Sequence, residues 1–393
     1  MLSPNDASMC DILKAAFMGG GFPVDGNVSW DILSRELAVQ TVAALPTDVV
    51  LGNPAVPASI KKQWENTAWV HAVRWEQILY AQDELVRLMA DNGIPMAVLK
   101  GTAAAMYYPV PRYRSMGDID FLVREEDYRK AFELLRDHGY ALAEPEDSED
   151  YHYAVEKDGI VFELHRRLAK LPKDAARNFL MEQVHAGLAH AERRRLEGYG
   201  FPVLPWLPNG LVLLQHIRQH LRDGLGLRQI IDWMMYVDRE LDDGKYPLFR
   251  EALRQTRLEP LALHATRMCQ MYLGLREEGI SWCASARQET CRALMEYIME
   301  QGNFGRKVGQ EGKGLKALNR HKSGMHLLAW MQKQGRRHWK AAHKHPFLRH
   351  FAFLHELGWY LSWLLRRKNP FRALASDIRD SRRRRRMFRR LMS

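Results

Sequence analysis

A pair of aspartates placed where a strand should be apolar constrains this chain most. In residues 96–123, MAVLKGTAAAMYYPVPRYRSMGDIDFLV, one short apolar run ends at a Lys100-Gly101 turn. A second run carries Asp118 and Asp120 on either side of Ile119. Strand side chains alternate faces, so the two aspartates share one face and Ile119 and Phe121 take the other. Asp is disfavoured in strands, and two carboxylates a few ångströms apart raise each other's pKa unless a cation lies between them. Mg²⁺, which takes one or two carboxylates plus substrate phosphates, suits such a pair. A third acid, Glu163 in GIVFELHRRL, shares a face with His165, while Phe162 and Leu164 face the other way. Singly, each acid reads as a solvent-facing residue of a half-exposed strand. Three of them on adjacent strands beside a glycine turn read as a metal site.

The flanking pattern supplies the scaffold. Residues 1–60 carry helical patterns broken by GGGFPVDG and by the proline-bearing stretch 52–57. Residues 64–91 have the spacing of a long amphipathic helix stopped by Asn92-Gly93. A strand at 95–99, the turn, a short helix at 102–108 ended by Pro109 and Pro111, and the aspartate strand follow. Then come an amphipathic helix at 125–138 and a hairpin at 151–165 turning on Asp158-Gly159. From about residue 172 to 334 nearly everything has helical period. The 393 residues have room for two domains. The expectation is an α+β fold with four parts: an N-terminal helical segment (1–60), a small mixed-sheet catalytic core (61–170), a helical domain (171–340), and an amphipathic helix with a basic tail (341–393).

Gly101 lets a ligand approach the backbone closely, and Thr102 opens a helix whose free N–H groups favour phosphate. The phosphate-binding GxxxxGK[ST] pattern is absent. A phosphate turn at Lys100, Gly101 and Thr102, then Asp-x-Asp, then a third acid are the parts of a nucleotidyltransferase.

The residues VLKGTAAAMYYPVPRYRSMGDIDFLV, followed by FELHRRL, resemble the uncharacterised nucleotidyltransferase family of bacteria, a branch of the DNA polymerase beta-like superfamily. That resemblance rests on the Leu-Lys-Gly turn at Leu99 to Gly101, Arg114 ahead of Asp118 and Asp120, and the Glu-x-His at Glu163 and His165. It continues more weakly into LLQHIRQHLRDGLGLRQIIDWMMYV and covers roughly residues 60–310. The wider superfamily usually has Gly-Gly or Gly-Ser at the turn and a shorter gap to the first aspartate; Thr102 and a two-proline loop depart from that.

The resemblance implies a polymerase beta-like core and transfer of a nucleoside monophosphate from an NTP, with ATP the expected donor. Asp118, Asp120 and Glu163 would be the catalytic residues and ligands of a two-Mg²⁺ site. Lys100, Gly101, Thr102, Arg114 and His165 would bind the nucleotide. The acceptor would be a hydroxyl of a small molecule, or of a sugar or lipid-linked intermediate of polysaccharide synthesis. The alternatives are a protein-adenylylating enzyme and a catalytically silent docking module.

Other patterns read more plainly. His216 and His220, at i and i+4 without HExxH, read as buried helix-packing histidines, and Arg228 and Asp232 as a structural ion pair. Asn303 to Lys307 read as a turn after a helix, with a place on the cleft as the lesser reading. Cys10, Cys269, Cys283 and Cys291 lack metal spacing and fit reduced thiols in a cytoplasmic protein. No secretory signal is evident at the start, and no apolar run reaches the roughly 18–20 residues that span a bilayer.

The net charge of +11 belongs almost wholly to residues 366–393, where twelve Lys/Arg and two Asp give +10. Before them stands the apolar stretch FAFLHELGWYLSWLL. Attachment of residues 351–393 to an anionic membrane surface is the first reading; a core helix with a solvated end and nucleic-acid binding are its rivals.

Overall fold

The computed structural model describes residues 2–19, 22, 29–143, 152–168, 174–303 and parts of 328–365 and 386–391. It begins with four helices: α1 (Pro4–Met18), α2 (Trp30–Val39), α3 (Thr47–Gly52) and the long α4 (Ala58–Asp91). The core follows as β1 (Met96–Leu99), α5 (Gly101–Ala105), β2 (Asp118–Val123), α6 (Tyr128–Asp137), β3 (Ala141–Leu142), β4 (His152–Lys157) and β5 (Ile160–His165). After α7 (Ala175–Ala189) come β6 (Glu192–Leu196) and β7 (Tyr199–Val203), then α8 (Trp206–Asp223), α9 (Leu227–Glu240), α10 (Tyr246–Thr256), α11 (Glu259–Tyr272) and α12 (Gln288–Gln301). A further helix, α13 (Ala352–Leu365), lies near the C-terminus.

The seven strands form one mixed sheet in the order β3-β4-β5-β2-β1-β7-β6. The chain is an α+β protein. Strands β2 and β5 run parallel, and Asp120 stands opposite Glu163 and Leu122 opposite His165. The hairpin β4–β5 turns on Asp158 and Gly159, both with positive φ, as the Asp-Gly signal implies.

The hairpin β6–β7 is a strand pair within the region, about 172 to 334, where nearly everything reads as helical. It lengthens the sheet, with β7 parallel to β1. Its outer strand, Glu-Arg-Arg-Arg-Leu, is largely exposed. An edge strand wet on both faces shows no alternation, and its charges discourage pairing with another chain.

Alternation along the central strands then divides the core in two. Ile119, Phe121, Val123, Phe162 and Leu164 pack with Ile78, Leu85 and Met89 of α4 and Ala131 and Leu135 of α6. On the opposite face, Ala97, Leu99 and Leu122 join a larger core made with α1, α8, α9, α11 and α12. Asp118, Asp120, Glu163 and His165 belong to this second face, at the edge where the helical layer leaves a cavity.

In the C-terminal part, α13 exposes Leu354, Trp359 and Leu361, and Phe347 and Phe351 just before it are also exposed. Met387 and Leu391, from the basic segment, are buried in the helical core. That segment is therefore not uniformly solvent-facing. Phe304 to Lys307, Arg366 to Lys368 and Arg382 to Arg385 lie outside the described residues. No helix among the described residues is long and apolar enough to cross a membrane.

Candidate active site

One cavity of about 140 Å³ gathers Lys100, Gly101, Arg114, Met116, Gly117, Asp118, Asp120 and Glu163 from the sheet side. His216, Gln219 and His220 of α8 and Arg228 of α9 close it from the helical side.

The sheet wall begins with a strained turn. Lys100 has φ 52° and ψ −131°, a left-handed conformation that costs a non-glycine residue about 1–3 kcal/mol. Gly101 follows at φ 34°, and a Cβ there would already touch Met116 Cε at 3.4 Å. The turn throws the Lys100 ammonium onto Asp120, with Nζ 2.6 Å from Oδ1. His165 Nε2 approaches the same oxygen at 2.9 Å and Glu163 Oε2 at 3.3 Å.

Charge follows from this geometry. Burial opposes the charged forms of Lys100 and His165, but the surrounding carboxylates raise both above their ordinary pKa. Burial also works against ionised Glu163, yet the hydrogen bond from His165 and the charge of Lys100 hold it down to about 2. Asp118 is raised, first by burial and then by the charge of Asp120.

Among the described residues, Asp120, Glu163 and His165 bring ligand atoms within 4.8 Å of one another. This tight group holds two of the three expected ligands, with His165 beside them. Asp118 lines the cavity beyond that tight group.

Two side chains expected at the nucleotide have protein partners of their own. Thr102 is fully buried and its hydroxyl donates to Gln82 Oε1 at 2.6 Å, so that side chain faces the core. Its helix spans only five residues, too short for much of a dipole. Arg114 is only 2% exposed. Its Nε and Nη2 donate to the two oxygens of Asp232, each at 2.7 Å, and Nη1 reaches Ser115 O and Met116 Sδ. Tyr108 donates to Asp232 as well, at 2.7 Å. Arg114 is thus committed to a buried ion pair.

The expected Arg228–Asp232 pair does not form, because Asp232 is saturated by Arg114 and Tyr108. Arg228 makes no ion pair among the described residues, and its Nε is enclosed without a hydrogen-bond partner. Burial and then the neighbouring charge of Arg114 lower its pKa.

His216 and His220 do bond to each other, Nε2 to Nε2 at 2.8 Å, but they also line the cavity. Burial, then the charge of Lys100, pushes His216 well below its ordinary range, so the pair is neutral on that side. Asn303 lies outside the cavity lining and holds the start of α9: its Oδ1 accepts from Gln229 Nε2 at 2.9 Å and its Nδ2 donates to Thr41 at 3.0 Å. Gln40 accepts from the Leu227 backbone N–H at 3.0 Å. Gly226 is required there, since a Cβ would lie 2.9 Å from Asn303 Cα.

Sequence reasoning missed the cavity roles of His216, Gln219, His220 and Arg228. Paired histidines one helical turn apart followed by an arginine were the only local signal.

A profile of the family described as an uncharacterised nucleotidyltransferase matches residues 27–274. No curated protein matches the chain. Two solved structures are similar at low identity. The antibiotic-resistance factor ANT(2'')-Ia, described as having substrate-regulated conformation dynamics, is 13% identical, with 49% of this chain and 98% of that one covered and a TM-score of 0.34. A tRNA-processing enzyme in an apo form is 12% identical, with 79% and 97% covered and a TM-score of 0.21.

Proposed function

The chain belongs to this nucleotidyltransferase family, and on that premise we propose that it moves a nucleoside monophosphate from an NTP, ATP being the expected donor, to an acceptor hydroxyl. The acceptor hydroxyl gives up its proton to water as its oxygen bonds to the α-phosphorus, the bond to the bridging oxygen breaks, and pyrophosphate leaves with that electron pair. One observation carries the proposal. Asp118, Asp120 and Glu163, on parallel neighbouring strands, line the same cavity as the Lys100-Gly101 turn.

The donor set fits a divalent cation. Carboxylate oxygens suit Mg²⁺, and His165 adds a nitrogen donor within the tight cluster. Asp118, Asp120 and Glu163 would hold the ion, with His165 adjoining. Bound there, it would neutralise phosphate charge and lower the pKa of the acceptor hydroxyl.

The chain's own groups do the rest. Lys100 balances Asp120 and lies close enough to the turn to share its charge with a phosphate. Arg114, on the cavity lining, orients the loop before β2 through its pair with Asp232. The cavity is smaller than the roughly 300–1,000 Å³ that encloses a drug-sized ligand, so it would take the polyphosphate and leave the base outside.

Asp120→Asn should lower transfer by about 10²–10³-fold, the scale of losing one preorganised electrostatic contact, with the fold retained by circular dichroism. Full activity in an Asp118→Asn/Asp120→Asn double variant would end the reading. A small-molecule, sugar or lipid-linked acceptor is favoured over a protein hydroxyl. Radiolabel from α-labelled ATP remaining in acid-soluble or lipid fractions supports that choice, and label on polypeptide reverses it.

The exposed apolar residues of α13 and the basic residues after it support attachment to an anionic membrane surface. Binding to anionic liposomes that survives in part at high salt and weakens in Trp359→Ser is expected. Binding to RNA but not to liposomes would replace that reading.

A further inference from the structure

Two arginines compete for one aspartate at this site, and the loser faces the cavity. Asp232 lies one helical turn after Arg228, the spacing at which Arg and Asp ordinarily pair. Arg114 and Tyr108 occupy both carboxylate oxygens instead. Arg228 is left lining the cavity with an enclosed, unbonded Nε and no carboxylate partner among the described residues.

We infer that Arg228 forms the anion subsite of the cavity, receiving the terminal phosphates of the nucleotide and then the leaving pyrophosphate. The inference rests on the nucleotidyltransferase reading for the identity of the anion, and on the geometry for the existence of the subsite.

Three costs fall on this guanidinium as it stands. It is half-buried with an enclosed Nε and no carboxylate in hydrogen-bond contact, Asp118 and Asp232 acting on it only from a distance, a state proteins normally avoid. The positive charge of Arg114 is close enough to depress its pKa. It also occupies the first turn of the 14-residue helix α9, where the helix dipole disfavours a cation. An anion in the cavity would reverse all three. It would pair with the guanidinium in the fork geometry that suits phosphate, and it would meet the positive end of α9.

The placement is not accidental slack in a loop. Gln40, Gln229, Asn303 and the close approach at Gly226 pin the start of the helix from two distant parts of the chain. The carboxylates Asp118, Asp120 and Glu163 stand across the cavity, so a polyphosphate between the walls would meet Arg228 on one side and cation-bearing carboxylates on the other.

The test is titration calorimetry with inorganic pyrophosphate in the presence of Mg²⁺, alongside thermal melting without ligand. Arg228→Met should weaken pyrophosphate binding at least tenfold, with Arg228→Lys falling between it and the wild type because charge returns without the planar fork. Unliganded Arg228→Met should melt at or above the wild-type temperature, since it removes a half-buried charge with no carboxylate in hydrogen-bond contact. Pyrophosphate affinity unchanged in Arg228→Met, a wild type that does not bind pyrophosphate, or a variant that melts lower or does not fold would each overturn the subsite. The two readings fail separately. Pyrophosphate binding that depends on Arg228 in a protein that transfers no nucleotide sinks the enzymatic reading alone. Nucleotidyl transfer with wild-type pyrophosphate affinity in Arg228→Met sinks the subsite alone.

Discussion

The two walls of the cavity settle their charges in opposite ways. On the sheet wall, Asp120 is met by Lys100 and His165, and Glu163 by His165, all within 3.3 Å. On the helical side, Arg114 and Tyr108 exhaust Asp232 and leave Arg228 unpaired. The sheet wall concentrates carboxylates and then balances them with side chains that a metal ion could displace. The helical wall withholds a partner from a cation. Together they are pre-set for a ligand that brings positive charge to one side and negative charge to the other, as a metal-bound polyphosphate does.

The largest expected effect tests the asymmetry between the two arginines. Removing one partner of a buried ion pair typically costs about 3–5 kcal/mol. Arg114→Met should therefore destabilise strongly in urea denaturation, less whatever Arg228 recovers by closing onto its i+4 aspartate. Adding Arg228→Met on that background should destabilise further, although Arg228→Met alone stabilises or is neutral. That reversal of sign is the measurable signature of competition for Asp232. Additive effects across the double-mutant cycle would show that the arginines are independent and would break the comparison.

The sheet wall was legible in the sequence because its signals are local. Asp118, Asp120 and Glu163 stand out against period-2 apolar runs, and Asp158-Gly159 marks the hairpin that brings Glu163 alongside Asp120. The helical wall was not legible, because its decisive contact joins residues 118 positions apart. Local spacing even pointed the wrong way, since Arg228 and Asp232 have ion-pair spacing and do not pair. The β6–β7 hairpin was hidden by its charged edge strand. Glu197-Gly198, both at positive φ, was the turn signal that could have found it. Thr102 was read as part of a phosphate turn, but its position in a short helix against α4 turned the hydroxyl to Gln82.

A smaller effect separates the walls by pH. Glu163 is held at about 2 against an ordinary 4.5, so it contributes stability that is present above pH 4.5 and lost as pH falls toward 2. By linkage that contribution is on the order of 2–3 kcal/mol. His165 is raised, so its contribution is full below its ordinary 6.5 and is lost as pH rises through its higher folded value. The metal-free protein should be most resistant to urea between these limits. Glu163→Gln should flatten the acid limb and weaken the alkaline one, since His165 loses a carboxylate. On the helical wall, His216 is held well below its ordinary 6.5, so stability also falls there as pH drops below 6.5, and Glu163→Gln should leave that part of the acid limb in place. An unchanged acid limb in Glu163→Gln would show that the sheet wall does not store its charge balance in this way.

The smallest expected effect concerns what keeps Arg228 in place. Asn303 links Gln229 of α9 to Thr41, and Gln40 holds the first backbone N–H of the helix. Asn303→Ala removes two neutral hydrogen bonds, each worth about 0.5–1.5 kcal/mol, and leaves Gln229 to find another partner. Stability should fall by about 1–2 kcal/mol. Pyrophosphate affinity should fall only a few-fold, because the guanidinium remains but its helix is less firmly fixed. Asp120→Asn, by contrast, should leave the start of α9 untouched. Hydrogen exchange would resolve the two: faster exchange of the amides at 227–230 in Asn303→Ala, with the β2 amides unchanged. If the β2 amides speed up equally, the walls are one cooperative unit, and the unpaired charge of Arg228 is supported by the whole cavity and not by the clasp at residues 40, 226 and 303.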